Sequence, residues 1–265
     1  MKRYFIPVFF IILFGCQQKE KSVTHQSLLI PEAAQQLYNE VVTYPDSTAL
    51  RIQLVNVLDS LGSLDLALAQ MDSLIVRDSV NYGIWFHKAQ LSEKAGDTIL
   101  ALRSYDKAAR IYPSPDVLLS MANLYAEKKD NKALILCDQV EQLRLGREYL
   151  AHCSFIKGVY YARTGELVKA LTSFDRCISN DYQYMEAYME KGFVYYDTQQ
   201  PNKAIAIFNQ AIEIRPTYAD AFYWLGKTYE QKADKPSAIQ EYQRALVLDP
   251  SIQEAKEALQ RLGAG

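Results

Sequence analysis

Histidine is scarce in this chain, with three in 265 residues, at His25, His87 and His152. None belongs to a His-Glu-x-x-His pair, and the four cysteines form no Cys-x-x-Cys spacing, so the sequence offers no zinc motif. Glycine (11) and proline (9) are also few. That leaves little turn material for a succession of hairpins and disfavours an all-β fold. No charge of one sign dominates: 29 Lys and Arg stand against 31 Asp and Glu. A global basic field that would recruit nucleic acid is therefore excluded. Gly-x-Ser-x-Gly, a phosphate-cradling glycine loop and a dinucleotide fingerprint are all missing, and no metal, cofactor or enzymatic role is expected. What the chain does have is 49% hydrophobic residues, 23% charged residues and 19 tyrosines, enough to bury a substantial helical core.

Long apolar runs are confined to the N-terminus. Residues 1–15 read MKRYFIPVFFIILFG: two cations, then an apolar stretch over 4–14, then a small residue. In helical form that stretch covers about 16 Å, roughly half a bilayer core, which fits a cleaved export signal better than a permanent span. Its end, Leu13-Phe14-Gly15-Cys16, resembles the lipobox of bacterial lipoproteins, where cleavage precedes the Cys and the thiol accepts a diacylglyceryl group. Phe14 departs from the usual Ala or Ser. The resemblance implies lipidation at Cys16, a membrane anchor through acyl chains (palmitate among them), and residence in the bacterial cell envelope. Gln17 in place of an inner-membrane retention Asp favours the outer membrane. Ordinary soluble export and an uncleaved anchor are the alternatives. Loss of Lys2 and Arg3 takes the formal charge from −2 to −4. Residues 16–30 lack apolar periodicity and read as a tether spanning roughly 20 Å.

From residue 31 onward a 34-residue period organises the chain. Gly158, Gly192 and Gly226 fall in step, as do Tyr161, Tyr195 and Tyr229; Ala170, Ala204 and Ala238; and Phe174, Phe208 and Tyr242. Cys177, Ala211 and Ala245 keep a small residue, and Tyr182, Pro216 and Pro250 close each unit. Small residues at such columns let two antiparallel helices approach, while the aromatic residues fill the space between them. The last unit, with Phe222, Leu225, Gly226, Tyr229, Ala238, Tyr242, Ala245 and Pro250, resembles the tetratricopeptide repeat. Earlier units keep Trp85, Ala89, Gly96, Ala101, Tyr105 and Pro113, and before them Leu54, Gly62, Ala67 and Met71. Residues 116–150 are degenerate, one residue short in the turn and without the closing Pro.

The resemblance implies an all-α solenoid, a right-handed superhelix of about six helix-turn-helix units over 48–81, 82–115, 116–150, 151–184, 185–218 and 219–252. An extra helix precedes them at 31–44, and a polar-faced capping helix follows at 251–262. It also implies a concave groove that binds a protein partner, as a peptide or helix, and hence a scaffold in an envelope complex for secretion, assembly or peptidoglycan processing. An enzyme or solute-binding lipoprotein whose repeats support a pocket is the alternative. A deep closed cavity would favour that alternative, and an open groove the scaffold.

Helix periodicity leaves one face of each first helix for the groove. Its candidates are Asn56, Phe86, Gln90 and Asn123 upstream, then Phe155 and Val159, Met189, Phe193 and Tyr196, and Tyr223 and Lys227. Amides hold peptide backbone and aromatics supply anchoring area; equally, the aromatics wedge neighbouring helices. No Lys and Asn cluster resembles the carboxylate clamp of some relatives. Cys137, Cys153 and Cys177 read as buried small residues, with Cys137 and Cys153 the pair nearest to bridging in an oxidising compartment. Asp-Ser or Asp-Thr pairs begin at Asp46, Asp59, Asp72, Asp78 and Asp97. They suit turns and helix caps, and also resemble an O-glycosylation sequon of some bacteria.

Overall fold

A computed structural model describes residues 29–264. The export signal, Cys16 and all but the last two residues of the tether lie outside the described residues. Those described form 14 helices and no strand: α1 (Glu32–Thr43), α2 (Thr48–Ser60), α3 (Leu64–Arg77), α4 (Tyr82–Lys94), α5 (Thr98–Ile111), α6 (Pro115–Glu127), α7 (Lys132–Gln142), α8 (Arg147–Thr164), α9 (Leu167–Asn180), α10 (Met185–Asp197), α11 (Pro201–Ile214), α12 (Ala219–Gln231), α13 (Lys235–Leu248) and α14 (Gln253–Arg261). Helices α2 to α13 pair into six units, with α1 packed before the first and α14 after the last.

Each pair turns through a left-handed residue just past its first helix: Gly62, Gly96, Lys129, Gly165, Gln199 and Ala233. This conformation satisfies the last carbonyls of the helix and reverses the chain. Side-chain caps start several helices. Ser47, Asn81, Asp97, Ser114 and Asp234 each accept a backbone N–H from the first turn.

The helices interlock through an alanine column and a bulky column. Ala67, Ala101, Ala133, Ala170, Ala204 and Ala238 are all fully buried. The bulky residue one turn on is Met71, Tyr105, Phe174, Phe208 or Tyr242, but in the third unit it is Cys137. In the last three units the bulky ring lies against glycine of the first helix. A Cβ on Gly158, Gly192 or Gly226 would sit 2.5, 2.3 or 2.8 Å from the rings of Phe174, Phe208 and Tyr242. Consecutive units are joined by lysines reaching back to the preceding helix: Lys88 to Asp72, Lys157 to Asp138 (2.7 Å) and Lys191 to Asp175 (2.5 Å).

The third unit is irregular where its sequence is degenerate. Helix α7 has only 11 residues, and a turn with Arg144 and Gly146 at positive φ lets α8 begin at Arg147, about one turn ahead of Ala151. Helix α8 is accordingly the longest of the described helices, at 18 residues. The extra turn carries Glu148 and Tyr149 into the surface built by the first helices.

Candidate functional site

On three successive first helices the spacing i, i+4, i+7 puts side chains on one face. Helix α4 presents Phe86, Gln90 and Glu93; α6 presents Asp116, Ser120 and Asn123; α8 presents Glu148, His152 and Phe155. Together with Leu119, Tyr149, Ile156 and Tyr184 they line a side-open groove of about 520 Å³. Phe86, Gln90, Asn123 and Phe155, four of the residues expected on the groove, thus meet at one site. Tyr184 forms its far wall, its ring 4.9 Å from Phe155 and edge-on to His152 at 5.3 Å.

A second recess of about 300 Å³ continues past Phe155, where Met189 and Phe193 face Tyr218, Trp224 and the carboxylates Glu186, Glu190 and Asp220. Phe193 packs on Trp224 at 4.5 Å. Beyond it, Lys227 lies over the Trp224 ring at 4.3 Å and within 5.8 Å of Tyr196 and Tyr223. These aromatic residues already hold a cation of the chain itself. Two candidates sit elsewhere. Asn56 is exposed on α2, outside both recesses, and Val159, only 1% exposed, belongs to the core. Val159 is therefore a packing residue, one turn beyond Phe155 on α8.

By helical phase alone the groove candidates are amide-rich upstream and aromatic downstream. The structure mixes amides and aromatics and adds Glu93, Asp116 and Glu148, while no lysine or arginine lines the larger recess. Glu93 is the most constrained of the three. The buried Tyr105 hydroxyl donates to its Oε2 at 2.9 Å. Burial, first of all, raises the Tyr105 hydroxyl well above its ordinary value and keeps it a donor. A signal for this pair existed in the sequence: Glu230 and Tyr242 recur twelve residues apart, as Glu93 and Tyr105 do.

Other candidate chemistry is structural. Cys137, Cys153 and Cys177 are buried free thiols, and the Cys153 thiol donates to the Cys137 carbonyl at 3.5 Å. Burial pushes the Cys177 thiol up to about 12. Burial also lowers the His87 value, with Asp59 opposing it. No group of three His, Cys, Asp or Glu among the described residues is placed to hold a metal ion. No helix among them is long and apolar enough to cross a membrane. Of the Asp-Ser and Asp-Thr pairs, Ser47 and Asp97 are caps, but Asp59 and Asp72 lie within helices and pair with Lys94 and Lys88 of the next unit.

Comparison with known proteins agrees with this geometry. Family profiles described as tetratricopeptide repeat match residues 52–114 and 219–252, and one described as TPR repeat matches 192–232. No curated protein sequence matches the chain. Among solved structures, a tetratricopeptide repeat protein from Parabacteroides merdae is 18% identical with a TM-score of 0.72, covering 87% of this chain and 91% of its own. PilW, a type IV pilus biogenesis factor, is 16% identical with a TM-score of 0.65, over 79% of this chain and 97% of its own. Yeast Tom70 is 15% identical with a TM-score of 0.58, over 88% of this chain and 57% of its own. At these identities the likeness is one of fold. The chain therefore carries tetratricopeptide repeats within an all-α superhelical repeat fold.

Proposed function

We propose that this protein is a lipid-anchored scaffold of the bacterial envelope, favouring the outer membrane, which holds a protein partner in the groove of its first helices. Tetratricopeptide repeats generally mediate protein-protein interaction and peptide binding, and proteins of this fold are typically non-enzymatic scaffolds. The observation that carries the reading is the side-open groove on α4, α6 and α8, where Gln90 and Asn123 stand among Phe86, Tyr149, Phe155 and Tyr184. Amides there match peptide carbonyls and N–H groups, and half-buried rings offer apolar anchoring area without the cost of ordering long side chains. The recess is open along its side, which suits an extended segment. The anchor rests on Leu13-Phe14-Gly15-Cys16, and the tether after Cys16 would let the solenoid reach roughly 20 Å from the membrane.

A photo-crosslinker at Asn123 in native membranes tests the groove. A discrete protein adduct is expected, and Phe86→Ala with Phe155→Ala should abolish it; an adduct indifferent to both rings refutes the groove. Cys16→Ala should abolish acyl labelling and release or misprocess the protein. Unchanged labelling refutes the anchor.

A further inference from the structure

The structure contains its own example of what a Glu-Tyr pair of this kind binds. In the sixth unit the Tyr242 hydroxyl donates to Oε2 of Glu230 at 2.6 Å. The same carboxylate receives Arg261 of α14, whose Nη2 lies 3.0 Å from Oε1 and 2.8 Å from Oε2. In the second unit, at the same place on the first helix, Tyr105 orients Glu93 at the same twelve-residue separation. There no arginine or lysine follows. Among the described residues Glu93 has no ion-pair partner, and the neighbouring cations Lys88 and Lys94 are committed to Asp72 and Asp59. The fourth and fifth units carry Phe174 and Phe208 in the tyrosine column, with Ala162 and Tyr196 in the glutamate column. In the first unit that column holds Asp59, with Met71 in the tyrosine column, and Asp59 takes Lys94 of the next unit, so the carboxylates of the first and sixth units each take a cation of the chain while Glu93 takes none.

Resting on the groove reading above, we infer that Glu93 is the docking point for a cationic side chain, an arginine of an otherwise apolar, extended partner segment. Three features select this occupant. The recess that Glu93 borders carries Asp116 and Glu148 and no lysine or arginine, so its field is negative and it repels acidic segments. A guanidinium suits a carboxylate of this kind, since within the same chain Arg261 Nη2 reaches both oxygens of Glu230, and half-burial strengthens such a charge-assisted bond. The remaining wall, formed by Phe86, Tyr149, Phe155 and Tyr184, takes apolar side chains or the face of the guanidinium itself. A small free cation would leave those rings uncovered, whereas a segment with arginine beside apolar residues covers them. Tyr105 acts as a positioning residue, fixing Glu93 through one oxygen and leaving the other for the ligand.

The test is selection from a random dodecapeptide library on the purified chain, followed by titration of the selected peptides in which each arginine is replaced by neutral, isosteric citrulline. Selected sequences should be enriched in arginine, and citrulline should weaken binding about tenfold, the size of one charge-assisted hydrogen bond. Glu93→Gln should erase that difference, because the amide still accepts from Tyr105 but carries no charge; its circular dichroism should match the parent. Glu213→Gln, which removes an equal charge from exposed α11, should leave the difference intact. Equal affinity for arginine and citrulline peptides, or a preference that survives Glu93→Gln, overturns the inference. Under that result the groove reading still stands if Phe155→Ala weakens binding. If Phe155→Ala weakens no selected peptide, the groove reading falls and takes this inference with it.

Discussion

Glycine is the poorest helix former after proline, yet Gly192 sits in the middle of α10, and its replacement by alanine tests the packing argument directly. In an unobstructed helix the change contributes up to about 1 kcal/mol of stability, from lost chain entropy in the unfolded state. Here the new Cβ would meet Phe208 at 2.3, 2.6 and 2.9 Å, well inside carbon-carbon contact. The ring, fully buried on α11, would have to retreat by roughly 1 Å or force the two helices apart. Overpacking of that kind costs about 1–3 kcal/mol, so it outweighs the helix gain and Gly192→Ala should destabilise by about 1–2 kcal/mol. Gly83→Ala is the control. Gly83 is exposed in the first turn of α4, and its nearest contact is an ordinary 3.4 Å to Asn81 Oδ1, so alanine there should be neutral or stabilising. Adding Phe208→Leu to Gly192→Ala should give less than the sum of the two single effects, because the smaller side chain makes room for the methyl. Urea unfolding followed by far-UV circular dichroism measures all four, with a nearest-neighbour treatment suited to a repeat array. If Gly192→Ala behaves like Gly83→Ala, or if the double substitution is additive, the close approach of α10 and α11 is not what keeps glycine in that column.

Acid should loosen the C-terminal cap. Burial tends to raise the Glu230 value, but hydrogen bonds from Tyr242 and Arg261 outweigh it and hold it below the ordinary carboxylate range. Its contribution is therefore complete above the unfolded value, about 4.3, and is lost as pH falls through the depressed folded value. Protection of the α14 amides, measured against the intrinsic exchange rate at each pH, should fall over that acid window in the parent and lose this step in Glu230→Gln; identical profiles would remove the Arg261 bridge as a cause. The three thiols should be silent in the folded protein: reduction should leave the mass unchanged, and a thiol reagent should react only after denaturation. A two-mass-unit gain on reduction would show that two of the thiols bridge after all, and peptide mapping would then be expected to join Cys137 to Cys153.

The 34-residue period, and the tetratricopeptide resemblance that it carries, were enough to read the solenoid, because each unit contacts its neighbours and repeats the same packing columns. Helix-turn-helix pairing, the alanine column and the small-against-aromatic contacts follow from local spacing alone, and Gly62, Gly96 and Gly165 mark turns that only a left-handed residue can make. Lys129, Gln199 and Ala233 take that conformation without being glycine, so those turns were legible only through the period. The groove was half legible. Phe86, Gln90, Asn123 and Phe155 could be placed by helical phase, since phase is a property of one helix. Val159 was misplaced because burial depends on the helices packed around α8, which helical phase does not give. Glu148 and Tyr149 could not be placed because the 34-residue ruler starts its unit at Ala151 and gives no sign of the extra turn. The chemistry of the site was least legible of all. A carboxylate's role depends on which cation reaches it from another helix: Arg261 reaches Glu230, whereas Lys94, adjacent to Glu93 in sequence, points back to Asp59. Local repetition determined the array; only the tertiary structure decided which charges were neutralised within it and which were left facing the groove, because that balance is set by distances between units and not by spacing within them.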